Sequence, residues 1–192
     1  MASSAQDFGI DPLTGALSPT RFNEILEREI LLNKRTKSLI QVVTIEISYI
    51  QDEVIDSEII DEALIKLVYE LKQILRQTDC ICRINQTGLW LLLVNSESSH
   101  TFQNSSSQAF QSSQDSRSSQ SPQSAQHSAS QQKSTEINNT SKILERIQTK
   151  GLKVLSELKI EKSNSLKISN ILYNGEGFLD FLLSIDRTYF SD

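Results

Sequence analysis

Histidine is nearly missing from this chain of 192 residues: there are two, His100 and His127. Both fall inside a Ser/Gln-rich stretch. The rest of the sequence therefore has no imidazole for metal ligation or for acid–base work near neutral pH. Cysteine is also scarce. Cys80 and Cys82 are too few and too close for a disulfide framework, and on a strand they would face the same way as a buried, reduced pair. Basic charge is short, with 19 Lys and Arg against 24 Asp and Glu and a net charge of −5. That excludes the basic surface a duplex-binding protein needs, so no nucleic-acid partner is expected. No apolar run approaches roughly 20 residues, so no membrane span is expected. Met1 to Ile10 lacks a basic region followed by an apolar stretch, so no secretory signal is expected and a cytoplasmic location follows.

What is present is unevenly spread. Hydrophobic residues make up 38% of the chain, which is low for one compact domain. Residues 96–140 explain the deficit: this block holds 16 Ser and 9 Gln. Without it, about 46% of the remaining residues are hydrophobic, an ordinary share for a globular domain of that size. The block cannot bury enough apolar surface to offset its ordering entropy and is expected to be disordered. The expected organisation is a flexible leader over 1–10, one domain built from 11–95 and 141–192, and a disordered Ser/Gln-rich insertion over 96–140. Long insertions of this kind cost little stability.

The folded part has readable punctuation. Asp11-Pro12-Leu13-Thr14-Gly15 is a turn. Ser18-Pro19 supplies an N-cap and a first-turn proline, and Phe22, Ile25, Leu26 and Ile30 follow at helical spacing. Lys34, Arg35 and Lys37 close that helix with positive charge. Leu39 to Ser48 reads as a buried central strand, and 50–59 as an acidic connection. Ile60, Leu64, Leu67, Val68, Leu71, Ile74 and Leu75 mark one face of an amphipathic helix. Cys80 to Ile84 and Leu89 to Val94 form a hairpin around Asn85-Gln86-Thr87-Gly88. A helix from Lys142 to about Leu158, with Gly151 a weak point, a strand over Leu166 to Tyr173 and a helix over Phe178 to Phe190 complete the order. The fold class is α+β: a mostly antiparallel sheet flanked by helices.

Several short motifs in this order resemble the GGDEF domain, the fold of diguanylate cyclases. Asp11, Leu13, Thr14 and Gly15 resemble the family's D-x-L-T-G, with Phe22 as the following aromatic. Ile60-Asp61-Glu62-Ala63-Leu64 resembles its G-D-x-x-L helix start. Arg76 and Asp79, followed by Arg83, are similar to R-x-x-D-x-x-x-R ahead of the signature hairpin. Ile185-Asp186 with Phe190 echoes the last helix. The resemblance implies a nucleotide-cyclase-like palm.

Aligned on Arg83, the signature G-G-D-E-F falls on Asn85, Gln86, Thr87, Gly88 and Leu89. The family's glycines let the turn approach a nucleotide, and Asn85 and Gln86 put side chains there. Thr87 stands where a carboxylate would bind magnesium, and a neutral hydroxyl does not replace that charge. Gly88 stands at a catalytic carboxylate. Glu46 falls on the first acidic position of D-x-D-x-F-K, and its longer stem would shift an ion; Gln51 falls on the lysine. Asp61 keeps the place of a guanine-contacting aspartate. The chain ends at Asp192, one residue before the family's phosphate-contacting lysine. These relic positions, Glu46, Asp61, Asn85, Gln86, Thr87 and Gly88, imply a pseudo-enzyme with no catalytic residues, no metal and no cofactor.

Arg76 and Asp79 occupy the family's inhibitory-site motif, which grips the product cyclic di-GMP. A guanidinium suits phosphate, and a carboxylate accepts from guanine N–H groups. With Arg83 they form the expected ligand-binding set. The plain alternative is a helix end where Arg76 caps and Asp79 pairs with it. Glu46 reads as a relic ligand or an acid paired across the sheet. Asp52, Glu53, Asp56, Glu58, Asp61 and Glu62 read as a solvated acidic connection and helix start, and Trp90 as core. Three functions are thus carried forward: a cyclic di-GMP receptor, a protein-interaction module that takes a partner or a second copy of itself, and a residual cyclase.

Overall fold

The computed structural model describes residues 9–48, 56–95, 126–160 and 166–190. The leader before Gly9, Gln51, the acidic Asp52 and Glu53, and residues 96–125 lie outside them. The chain divides into two units, one of 1–97 with 145–192 and one of 98–144. The described part of the second unit, 126–144, is the N-terminal stretch of a helix.

The first helix, α1, spans Pro19–Thr36 and starts as its sequence demands: the Ser18 hydroxyl accepts from the Arg21 N–H, with proline at the first position. It ends on Lys37 in the left-handed conformation, which hands its N–H to the Asn33 carbonyl. β1 (Leu39–Ile47) follows, then α2 (Ser57–Lys72), β2 (Cys80–Arg83) and β3 (Gly88–Asn95). After these come α3 (Gln126–Glu157), β4 (Leu166–Leu172) and α4 (Phe178–Phe190). The four strands make one sheet in the order β2-β3-β1-β4, and every neighbouring pair is antiparallel. This is the expected α+β architecture.

Two elements begin earlier than the pattern predicts. α2 starts at Ser57, because the Asp56 side chain caps it by accepting from the Glu58 N–H; apolar spacing is blind to a polar first turn. α3 starts at Gln126, sixteen residues ahead of Lys142 and within the stretch expected to be disordered. Gln, Ser and Lys have no apolar period there, but most of them are not helix breakers, and the helix that packs through Ile147, Val154 and Leu155 extends backwards through them.

One face of the sheet carries a cluster from α1 (Phe22, Leu26, Ile30), the strands (Ile40, Val42, Cys82, Trp90, Leu92) and α4 (Phe181, Ile185, Tyr189). Trp90 is at its centre, edge-on to Phe22 and Tyr189, a core residue as expected. The alternate positions Val43, Ile45 and Ile47 are equally buried, so β1 is covered on both faces. α3 lies against β4 through Gly151. A Cβ there would strike a Leu166 methyl group, so the glycine makes room for the strand's first side chain. Glu70 of α2 and Lys150 of α3 join at 2.5 Å.

Candidate functional site

The segment before α1 is folded onto the sheet edge. Asp11 accepts the Thr14 N–H and hydroxyl at 2.8 and 2.6 Å, and Gly15 completes the turn at φ +67°. Leu17 then runs beside β2: its N–H donates to Ile81, and its carbonyl accepts from Arg83. This covers one side of the sheet and brings Asp11 to Arg83.

Arg83 is the hub of a brace. One guanidinium nitrogen donates to Asp61 at 2.8 Å, another lies 3.6 Å from Asp11, and Nε donates to the Asn85 carbonyl at 3.1 Å. Its side chain is 15% exposed. The turn, the start of α2 and the hairpin are therefore tied by one residue. Sequence reasoning grouped Arg83 with Arg76 and Asp79; the structure separates it. It does not line the cleft those two share, because its guanidinium is turned to the two carboxylates. Asp61 is committed to the same brace.

The hairpin tip is closed by the last helix. Asn85 donates from Nδ2 to the Tyr189 hydroxyl at 3.1 Å, and its Oδ1 accepts the Thr87 N–H at 2.9 Å. The Thr87 hydroxyl also reaches that oxygen, at 3.3 Å. Gly88 is needed for this closure: a Cβ built on it would fall on the Tyr189 hydroxyl and 2.8 Å from Cζ. Glu46 lies opposite Gly88 in the ladder. Burial pushes the Tyr189 phenol up, the Asn85 hydrogen bond pulls it back, and the Glu46 charge adds to the rise. Glu46, Asn85, Thr87 and Gly88 are thus gathered around Tyr189, a residue 104 positions from Asn85 that no local pattern singles out. Gln86 is exposed at the tip.

Two magnesium ions with a triphosphate need several converging carboxylates. The tip offers one threonine hydroxyl, already hydrogen-bonded, and one carboxylate across the ladder. Among the described residues no three or more of His, Cys, Asp and Glu are gathered as a metal site. The described residues do not fit that group.

Arg76 and Asp79 are brought together on the turn between α2 and β2. Asp79 accepts the Arg76 backbone N–H at 2.9 Å, and a second backbone N–H comes from Val94. The Arg76 backbone N–H is thus one partner of Asp79, and the Arg76 charge also favours its ionised form. Burial pushes the Asp79 carboxyl up, against those hydrogen bonds. Beside the turn is a cleft of about 510 Å³ lined by Ile10, Gly15, Leu17, Ile25, Lys72, Arg76, Asp79 and Cys80, among others. The Lys72 ammonium crosses it to the Gly15 carbonyl at 3.0 Å. Sequence reasoning missed Lys72, one turn before Arg76.

The family model described as diguanylate cyclase, GGDEF domain, matches residues 9–165. Diguanylate cyclase SiaD from Pseudomonas aeruginosa, solved with its activator SiaC, is similar in fold, with a TM-score of 0.55 at 14% identity over 95% of this chain. The chain spans 57% of the SiaD chain. The GGDEF domain of PA1120 (TpbB or YfiN) from the same organism gives 0.54 at 15% identity, over 94% of this chain and 86% of that one. A microbial GGDEF domain solved for its interaction with cyclic di-GMP gives 0.51 at 13% identity, over 94% and 87%. No curated protein sequence matches.

Proposed function

The chain belongs to the diguanylate cyclase GGDEF-domain family, and from that premise we propose that it is a non-catalytic member, a module of cyclic di-GMP signalling that takes the dinucleotide at the Arg76–Asp79 turn. One observation carries the reading: the hairpin is closed on itself and on Tyr189, while a cleft lies open beside the Arg76–Asp79 turn. At the hairpin, Asn85 and Thr87 spend their hydrogen-bonding groups on each other and on Tyr189. At the Arg76–Asp79 turn there is a cleft, and two cationic side chains, Lys72 and Arg76, border it.

The chemistry suits a dinucleotide. The two cations favour phosphate. Asp79 gives two backbone N–H groups an acceptor yet has lone pairs to spare for a guanine N–H. Arg83 acts from behind, holding β2 and the hairpin so that the turn is presented rigidly. The relative solved with cyclic di-GMP shares the fold. Phosphoryl transfer depends on positioning and on metal neutralisation of the triphosphate, and the hairpin lacks the carboxylates for the latter.

The test is titration calorimetry with cyclic di-GMP. Saturable heat that Arg76→Ala removes supports the receptor; no heat from the wild-type protein at high micromolar concentration ends it. Incubation with GTP and magnesium is the companion assay: cyclic di-GMP production lost in Glu46→Ala would restore the cyclase reading. A second reading, an interaction module without nucleotide, is favoured by one feature, the apolar outer face of α4.

A further inference from the structure

α4 has two apolar stripes. One, Phe181, Ile185 and Tyr189, is buried against the sheet. The other faces outward: Leu179 is 69% exposed, Leu183 51% and Phe190 66%. With Asp186 these positions repeat at intervals of four, three and four residues, the spacing of a coiled-coil seam. Three large side chains on one stripe are more than the scattered exposure of an ordinary surface.

The charges beside the stripe say what it meets. Asp180 and Arg187, both exposed, are seven residues apart and so lie on the same flank. Two antiparallel copies of one helix set such a flank against itself, the early residue of one opposite the late residue of the other. Opposite signs at the two positions then give two attractive contacts; like signs would give two repulsive ones. We propose that α4 pairs antiparallel with α4 of a second copy of this chain across a two-fold axis. Leu179 then meets Phe190 of the other copy, and Asp180 meets its Arg187, twice. Asp186 within the seam fixes the register at a cost in strength. A helix of 13 residues is about 20 Å long, so this contact is small and the association concentration-dependent.

The pairing does not depend on the nucleotide-receptor reading, and it is tested without nucleotide. Sedimentation equilibrium on the full chain, from about 10 μM to about 1 mM, should show mass rising from monomer toward dimer. Leu183→Lys should remain monomeric with unchanged helical content. Asp180→Arg and Arg187→Asp should each weaken association by about tenfold. Mixed one to one, these two variants should associate like the wild type, because each then meets its opposite. A wild-type chain that stays monomeric throughout, or reversed variants that associate no better when mixed, overturns the proposal. Either result leaves the cyclic di-GMP titration to be judged separately.

Discussion

The hydroxyl of Tyr189 fills the space that a side chain on Gly88 would need. The missing side chain of Gly88 makes room for that hydroxyl, and Asn85 hydrogen-bonds it. The hairpin and α4 are locked as one piece, which sets the first prediction. Gly88→Ala should destabilise the fold by about 1–3 kcal/mol through overpacking. The second change Tyr189→Leu, which withdraws the ring and hydroxyl, should recover part of it. Urea denaturation of the single and double variants measures this; equal losses in both would mean that the glycine serves something else.

Arg83 holds two carboxylates and a carbonyl while mostly buried. Arg83→Ala leaves Asp11 and Asp61 facing each other's charge and should cost about 1–3 kcal/mol. A double-mutant cycle with Asp61→Asn should return a coupling of about 1 kcal/mol. A coupling near zero would show that the pair is idle.

Asp79 and Arg76 separate stability from binding. Asp79→Ala deprives two backbone N–H groups of an acceptor and should cost about 1–2 kcal/mol. Arg76→Ala, on an exposed side chain, should change stability by less than about 0.5 kcal/mol. Melting curves for the two variants, run before any ligand titration, check the contrast.

Alkali should loosen this fold. Burial moves the Cys82 thiol from 9.0 to about 12, with the Asp11 charge adding to it, and pushes Cys80 and Tyr189 up as well. Each group is harder to ionise folded than unfolded. The stabilisation is complete below the unfolded value and is lost as pH rises through the folded one. For Cys82 the window is about pH 9 to 12, with a slope approaching about 1.4 kcal/mol per pH unit per group. Chemical denaturation across that range should show the decline, and Cys82→Ala should flatten it.

The elements with local signals were legible. Ser18-Pro19 announced α1, the β-branched run at Val42, Val43 and Ile45 announced β1, and the helix read over Phe178 to Phe190 is α4. The start of α3 was hidden, because a helix carried backwards by polar residues has no apolar period to read. The site was legible only in part. Arg76 and Asp79 sit three residues apart, and that spacing is itself a signal. The partners of Arg83 lie 72 and 22 residues away, and Tyr189 closes a hairpin 104 residues earlier. Such contacts are made by the sheet order, which no local window contains.

β1 is flanked by β3 on one side and β4 on the other, and the 96–125 stretch falls between those two strands in the chain. The first 95 residues supply three strands and two helices; everything after 125 returns as α3, β4 and α4. Seven residue pairs between β1 and β4, from Gln41–Leu172 to Ile47–Leu166, and the Phe181–Ile185–Tyr189 stripe stitch the halves together. Two polypeptides, expressed apart and ending and starting within that stretch, should therefore associate through β1 and β4; co-purification of the pair, lost when Val43 and Ile45 are changed to Lys, is the check.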